Sequence, residues 1–142
     1  MAAYVEHANI TVRDLDEAVR FLTTAIPGWR IRGRGLSMAG PNQRPWLHLG
    51  DDETYIALEQ ATDPDAAGRT RYRGVGINHI GIVVDDVAAV HQRLQAAGYS
   101  EGFQADPHPH RARLYYTDSD GNEWEFVQYF SEDPAQRNDY GA

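Results

Sequence analysis

The stretch His7-Ala-Asn-Ile-Thr-Val-Arg-Asp-Leu-Asp-Glu-Ala-Val-Arg-Phe-Leu22 ("HANITVRDLDEAVRFL") returns, altered, as His79-Ile-Gly-Ile-Val-Val-Asp-Asp-Val-Ala-Ala-Val-His-Gln-Arg-Leu94 ("HIGIVVDDVAAVHQRL"). A shift of 72 residues, from His7 to His79, aligns His7 with His79, Ile10 with Ile82, Val12 with Val84, Asp14 with Asp86 and Leu22 with Leu94. An echo at a fixed offset is the signature of a repeated structural unit.

Each copy reads as a strand, a helix and then further strands. Asp14 stands where an N-cap belongs, and Glu17 three residues on gives the spacing of a capping box. Leu15, Ala18, Phe21 and Leu22 recur at helical spacing, and Pro27-Gly28 stops the helix. In the second copy Asp85 or Asp86 caps, Val87, Val90, Leu94 and Ala97 form the apolar stripe, and Gly98 sits at the C′ position. Strand-like runs follow: "WRIRG", "PWLHLG" and "TYIALEQ" in the first copy, "YSEGFQ", "ARLYYTD" and "NEWEFVQYF" in the second. "DSDGN" (118–122) is a hairpin turn signal. The expected organisation is one α+β domain of two βαβββ modules. Module one covers about 4–60 and module two about 76–130. A turn-rich linker spans about 61–75, and the polar tail 131–142 is expected to be mobile at its end.

The bulk numbers fit this picture. The chain has 142 residues, enough for one domain that buries about two-thirds of its unfolded surface. It has no cysteine, so disulfides and thiolate metal sites are excluded, and a metal must be held by His, Asp, Glu, Asn or Gln. A formal net charge of -8 argues against nucleic-acid binding, which needs a basic footprint. The Arg-rich pieces "WRIRGRG" and "GRTRYRG" read as solvated loop or strand-edge charge, with a local trap for an anionic group as the alternative. No secretory signal or membrane-spanning run is visible, so a cytoplasmic protein is expected.

Side chains alternate across a strand, so each strand assigns its residues to two faces. In the first strand Ala8, Ile10 and Val12 share one face; His7, Asn9 and Thr11 share the other. In the echo Ile80, Ile82 and Val84 oppose His79, Gly81 and Val83. The aliphatic face seats the helix, so both histidines point to the opposite, concave side. In "TYIALEQ" the same logic puts Tyr55, Ala57 and Glu59 on the concave side, and in "NEWEFVQYF" Glu123, Glu125, Val127 and Tyr129. A single histidine near a strand end is ordinarily a hydrogen-bonded structural residue, and a single strand glutamate an edge or ion-paired one. Two matched pairs are not so easily explained, because unpaired buried carboxylates are costly. Glu59 and Glu125 are 66 residues apart, near enough to the repeat offset for loop differences to absorb. Two imidazoles and two carboxylates, His7, Glu59, His79 and Glu125, make a charge-balanced site for Zn, Ni, Mn, Fe or Co.

On "HANITVRDLDEAVRFL", "YIALEQ", "NHIGIVVDD" and "DSDGNEWEFVQ" the chain resembles the vicinal oxygen chelate superfamily, which includes glyoxalase, bleomycin-resistance and extradiol-dioxygenase proteins. The resemblance runs from about Tyr4 to Phe130. It implies paired modules curled into an open, barrel-like sheet with helices outside, one divalent metal on the four residues just named, and a homodimer. The four-ligand set resembles glyoxalase I most. That implies lyase or isomerase chemistry in which a metal chelates vicinal oxygens of a small substrate and stabilises an enediolate. Glu125 or Glu59 would move the proton. Two departures count against glutathione as the thiol cofactor. Thr11 stands where glyoxalase I carries an arginine, and Asp63 where it carries an asparagine.

Three rivals belong to the same superfamily: an epimerase, an extradiol-type dioxygenase using Fe(II) or Mn(II), and a metal-free binding or resistance module. A fourth ligand at Glu59 would crowd a dioxygenase, and Gln is usual there in the epimerases. Retention of all four residues argues against the metal-free module. Among the remaining residues, Asn9, Thr11 and Tyr55 are candidates to meet substrate. Arg111 and Arg113 are candidates to hold an anionic group, although solvated arginines are the commoner case. His108 in "DPHPHR" reads as loop or substrate gate, His48 as a strand residue that can face the cavity, and His91 as an exposed helix residue.

Overall fold

The fold follows from two sheets, each with one apolar face seated on a helix. The structure is a computed structural model that describes all residues except 1, 38–42, 67, 69 and 142. Arg69 of "GRTRYRG" therefore lies outside the described residues. The chain divides into two units, Met1–Gly68 and Arg69–Ala142.

The first unit runs β1 (His7–Val12), α1 (Leu15–Ala25), β2 (Arg30–Ser37), β3 (Arg44–Gly50) and β4 (Tyr55–Gln60). Its four-stranded sheet has the order β1-β4-β3-β2, with β1 parallel to β4 and the other pairs antiparallel. The second unit runs β5 (His79–Val83), α2 (Val87–Ala96), β6 (Ser100–Glu101), β7 (Arg111–Thr117), β8 (Glu123–Tyr129) and α3 (Pro134–Arg137). Its order is β5-β8-β7-β6, the same topology. The echo in sequence is thus an echo in structure, two βαβββ units of an α+β fold.

Local chemistry sets the helix ends. The Asp14 side chain accepts from the Asp16 N–H at 2.9 Å and the Glu17 N–H at 3.3 Å. Asp86, rather than Asp85, caps α2, accepting from the Ala89 N–H at 3.1 Å. After α2 the chain reverses through Gly98 at φ 89, a conformation that favours glycine. The hairpin between β7 and β8 is organised by one carboxylate. Asp118 accepts from the Asp120 and Asn122 N–H groups, each at 2.9 Å, and from Trp124 Nε1 at 3.0 Å, while Gly121 takes φ 82.

The cores lie between sheet and helix, on the faces that alternation assigns to them. In the first unit Phe21, Leu22 and Ala25 of α1 are buried with Leu47, Leu49, Ile56 and Leu58. In the second, Val90 and Leu94 are buried with Leu114, Tyr116, Trp124 and Phe126. Each such side chain contributes about 1.5–3 kcal/mol by leaving water.

Two expectations change. His91 is half-buried, not exposed, because its Nδ1 meets the hydroxyl of buried Tyr116 at 2.9 Å. The run "YSEGFQ" gives a strand of only two residues, after which the ladder lapses before Pro107 and Pro109, which have no N–H to donate. Within the polar tail lies α3, capped by Asp133, and Arg111 Nη1 donates to the Asp139 carbonyl at 2.9 Å.

Candidate functional site

In the second unit β5 and β8 run parallel with His79 opposite Glu123 and Gly81 opposite Glu125. These residues share the face away from α2. Diagonal neighbours on a sheet are within reach of long side chains, and Gly81 leaves the diagonal uncovered. His79 Nε2 stands 3.0 Å from Glu125 Oε2. Tyr115, opposite Glu125 on β7, lays its ring edge-on to the imidazole at 5.7 Å between centroids. Burial, and then a hydrogen bond to Glu125, push the Tyr115 hydroxyl above its ordinary pKa.

The other imidazole nitrogen is also engaged. His79 Nδ1 lies 2.9 Å from the Tyr72 hydroxyl and 3.4 Å from Glu123 Oε1. The Tyr72 hydroxyl donates to Glu123, which is buried. That bond, with burial and the carboxylate charge after it, raises the Tyr72 pKa to about 12. Tyr72 has one proton and gives it to Glu123. Its oxygen therefore faces Nδ1 as an acceptor, and so does Glu123 Oε1. Nδ1 thus faces two oxygens, those of Tyr72 and Glu123, while Nε2 faces the Glu125 carboxylate.

The first unit is built differently. His7 stands opposite Tyr55, and Thr11 opposite Glu59. Glu59 is four residues along β4 from the partner of His7, about 13 Å of strand. The position matching Glu125 is Ala57, opposite Asn9. The correspondence between Glu59 and Glu125 is thus corrected by two residues, one full alternation, which keeps the face and changes the place. Glu59 Oε1 accepts instead from Arg44 Nε at 3.0 Å. His7 pairs through Nδ1 with Glu6 at 3.0 Å and stacks on Tyr55 at 4.7 Å. His48 stacks on Tyr55 at 4.5 Å, and the Arg32 guanidinium lies 4.4 Å from the Tyr55 centroid. Burial first, then the charges of His7 and Arg32, lower the His48 pKa from its ordinary value. An open pocket of about 220 Å³ lies over this face, lined by Asn9, Trp46, His48, Ala57 and Glu59 among others.

The remaining candidates divide. Asn9 lines that pocket and Thr11 shares its face. The Arg113 side chain makes no hydrogen bond or ion pair among the described residues and projects on the face of Tyr115. Arg111, the other candidate for an anionic group, donates to the Arg137 and Asp139 carbonyls and lies over the Tyr140 ring at 5.6 Å. His108 likewise faces the tail, with Nε2 3.9 Å from Asp139 and Nδ1 accepting from the His110 N–H at 3.0 Å. Sequence reading placed Glu123 on the correct face without giving it a role, although Glu-Trp-Glu was the visible signal. Tyr72 was assigned to the linker and carried no signal.

No cluster of three His, Asp or Glu side chains in metal-holding geometry occurs among the described residues. The fit of a divalent cation therefore rests on the His79–Glu125 pair. At 3.0 Å the ring nitrogen and the carboxylate oxygen are bridged by a proton on Nε2, and a divalent cation can take that proton's place. Ligand bonds of about 2.0–2.2 Å meeting near a right angle set donor atoms about 3 Å apart, so the pair fits a cation.

Many solved structures share this fold at low identity. A glyoxalase family protein from Bacillus cereus superposes with a TM-score of 0.75 at 16% identity, covering 92% of this chain and 97% of that one. The fosfomycin resistance protein FosX from Listeria monocytogenes, complexed with Mn(II) and sulfate, gives 0.66 at 15%, covering 96% and 98%. The trypanothione-dependent glyoxalase I of Leishmania major gives 0.68 at 19%, covering 89% and 87%. Comparison with curated proteins finds no match. The family model for the glyoxalase/bleomycin resistance protein/dioxygenase superfamily matches residues 4–126, most of the repeat-bearing chain, and the protein belongs to that superfamily.

Proposed function

We propose that the protein is a divalent-metal-dependent enzyme of the glyoxalase type, acting as an isomerase or lyase on a small substrate with adjacent oxygen atoms. The observation that carries this reading is His79 Nε2 facing Glu125 Oε2 at 3.0 Å, with the opposite nitrogen already engaged. We take His79, Glu125 and His7 as the metal ligands, with Zn, Ni, Mn, Fe and Co as the cations such N/O donors suit. The Mn(II) bound by FosX supports a divalent metal in this superfamily. We leave Glu59 outside the ligand set, because Arg44 holds its carboxylate.

A bound cation would supply polarisation of a substrate oxygen. The protein's own groups do the rest. Glu125 holds or moves a proton at Oε2, and the Tyr115 hydroxyl orients that carboxylate. Asn9, Thr11 and the Tyr55–His48 stack form the polar and aromatic wall that meets substrate on the first unit's face. Thr11 and Asp63 weigh against glutathione. The protein is taken as a homodimer, as the family pattern implies, and as cytoplasmic. Among the described residues no helix is long and apolar enough to cross a membrane.

One observation favours a second reading. With Glu59 withheld, two histidines and one carboxylate remain, the donor set of an extradiol-type Fe(II) or Mn(II) dioxygenase with open positions. The deciding experiment is elemental analysis of protein purified without chelator, beside assays with and without glutathione. About one divalent metal per chain is expected, lost in His79→Ala and reduced in His7→Ala. Full occupancy in both variants would sink the metal site. Oxygen uptake with a catechol would select the dioxygenase.

A further inference from the structure

We infer that Tyr72 is a positioning residue for His79: its hydroxyl, anchored on Glu123, fixes which imidazole nitrogen carries the proton. The inference rests on the reading of His79 as a metal ligand only for its consequence in metal affinity.

The geometry around Tyr72 is costly and purposeful. Its backbone takes φ 64, the left-handed region that a bulky residue rarely adopts. Several bonds hold the loop there. The Tyr72 N–H donates to Asn78 Oδ1 at 2.7 Å, the Gly74 N–H donates to the Thr70 carbonyl at 3.1 Å, and the Arg71 guanidinium donates to the Gly121 carbonyl. Packing does not explain this arrangement, because Tyr72 is 60% exposed. What the turn achieves is delivery of one hydroxyl to a point between Glu123 Oε1 and His79 Nδ1.

Proton counting then assigns the roles. The single hydroxyl proton goes to the Glu123 carboxylate, which is 9% exposed. The phenol oxygen accepts from Nδ1 at 2.9 Å, and Glu123 at 3.4 Å reinforces the same N–H. Nε2 is left free of its proton and pointed at Glu125. A partner on the far nitrogen of a ligating histidine fixes tautomer and ring orientation and raises basicity. Here that partner is a Tyr–Glu relay in place of a direct carboxylate.

The test uses the full chain and Tyr72→Phe, which keeps the ring and removes the hydroxyl. Nitrogen NMR of the His79 ring reads the tautomer in metal-free protein, in alkaline buffer where imidazole is neutral. Titration with Mn(II) reads affinity. We expect the Nδ1–H form in the unaltered protein and a shift toward Nε2–H in Tyr72→Phe. Mn(II) binding should weaken about ten- to a hundredfold, with the unfolding midpoint nearly unchanged. Glu123→Gln should shift the tautomer the same way and serves if Tyr72→Phe does not fold. An Nε2–H ring in the unaltered protein, or the same tautomer in both variants, overturns the inference whatever Mn(II) does. If the unaltered protein takes up no metal but the tautomer shifts, the metal reading fails and the positioning role stands.

Discussion

His79 and Glu125 meet at 3.0 Å although their backbones are two residues out of register on adjacent parallel strands. Glu123, the residue directly opposite His79, turns instead to the far nitrogen and to Tyr72. One strand thus serves both edges of a single imidazole.

This asymmetry separates the two glutamates that sequence reading paired. Glu125→Gln removes charge from the carboxylate at Nε2 and is expected to weaken divalent-metal affinity by at least about tenfold, more than the loss of an outer partner would. Glu59→Gln is expected to leave the metal bound and to cost only about 0.5–1 kcal/mol of stability, the value of its half-exposed pair with Arg44. Metal analysis and urea unfolding of both variants check this. Loss of metal in Glu59→Gln would restore Glu59 to the ligand set.

Asp118 holds the β7–β8 hairpin by accepting four hydrogen bonds, two from backbone and two from the Asn122 and Trp124 side chains. Asp118→Ala removes all four bonds, among them the one from the indole N–H of Trp124, a residue 1% exposed. The expected loss is about 1.5–3 kcal/mol, since hydrogen bonds to a charged acceptor are among the stronger ones. An unfolding midpoint shifted by less than about 1 kcal/mol equivalent would show that the turn holds without it.

The β3–β4 turn provides a pH signal away from the metal site. The Asp51 carboxylate accepts from the Thr54 and Glu53 N–H groups, each at 2.9 Å, and these bonds hold its pKa below 3.8. A depressed folded-state pKa contributes stability that is present above the unfolded value and is lost as pH falls through the folded one. Asp51→Asn is therefore expected to flatten the acid limb of the stability curve below about pH 4, with no change in shape at neutral pH. Parallel acid limbs in the two proteins would contradict the assignment.

Much of this was legible in the sequence because it is local. The caps at Asp14 and Asp86, the reversal at Gly98 and the turn at Asp118 each depend on a few neighbouring residues. Alternation along one strand is equally local. It placed His7, His79, Glu59, Glu123 and Glu125 on the faces away from the helices. The anchoring of the tail by Arg111 and the half-burial of His91 were not legible, because each depends on a partner at least 25 residues away.

The sequence by itself thus determined the repeat, the order of the elements and the face of every candidate ligand. Only the tertiary structure decided which of those residues touch. A period of two assigns a face but not a position along it, and strand register is set by pairing between segments far apart in the chain. That pairing put Glu125 against His79 and gave Glu59 to Arg44. It also brought Tyr72, from a segment read as linker, to the nitrogen that decides what His79 can bind.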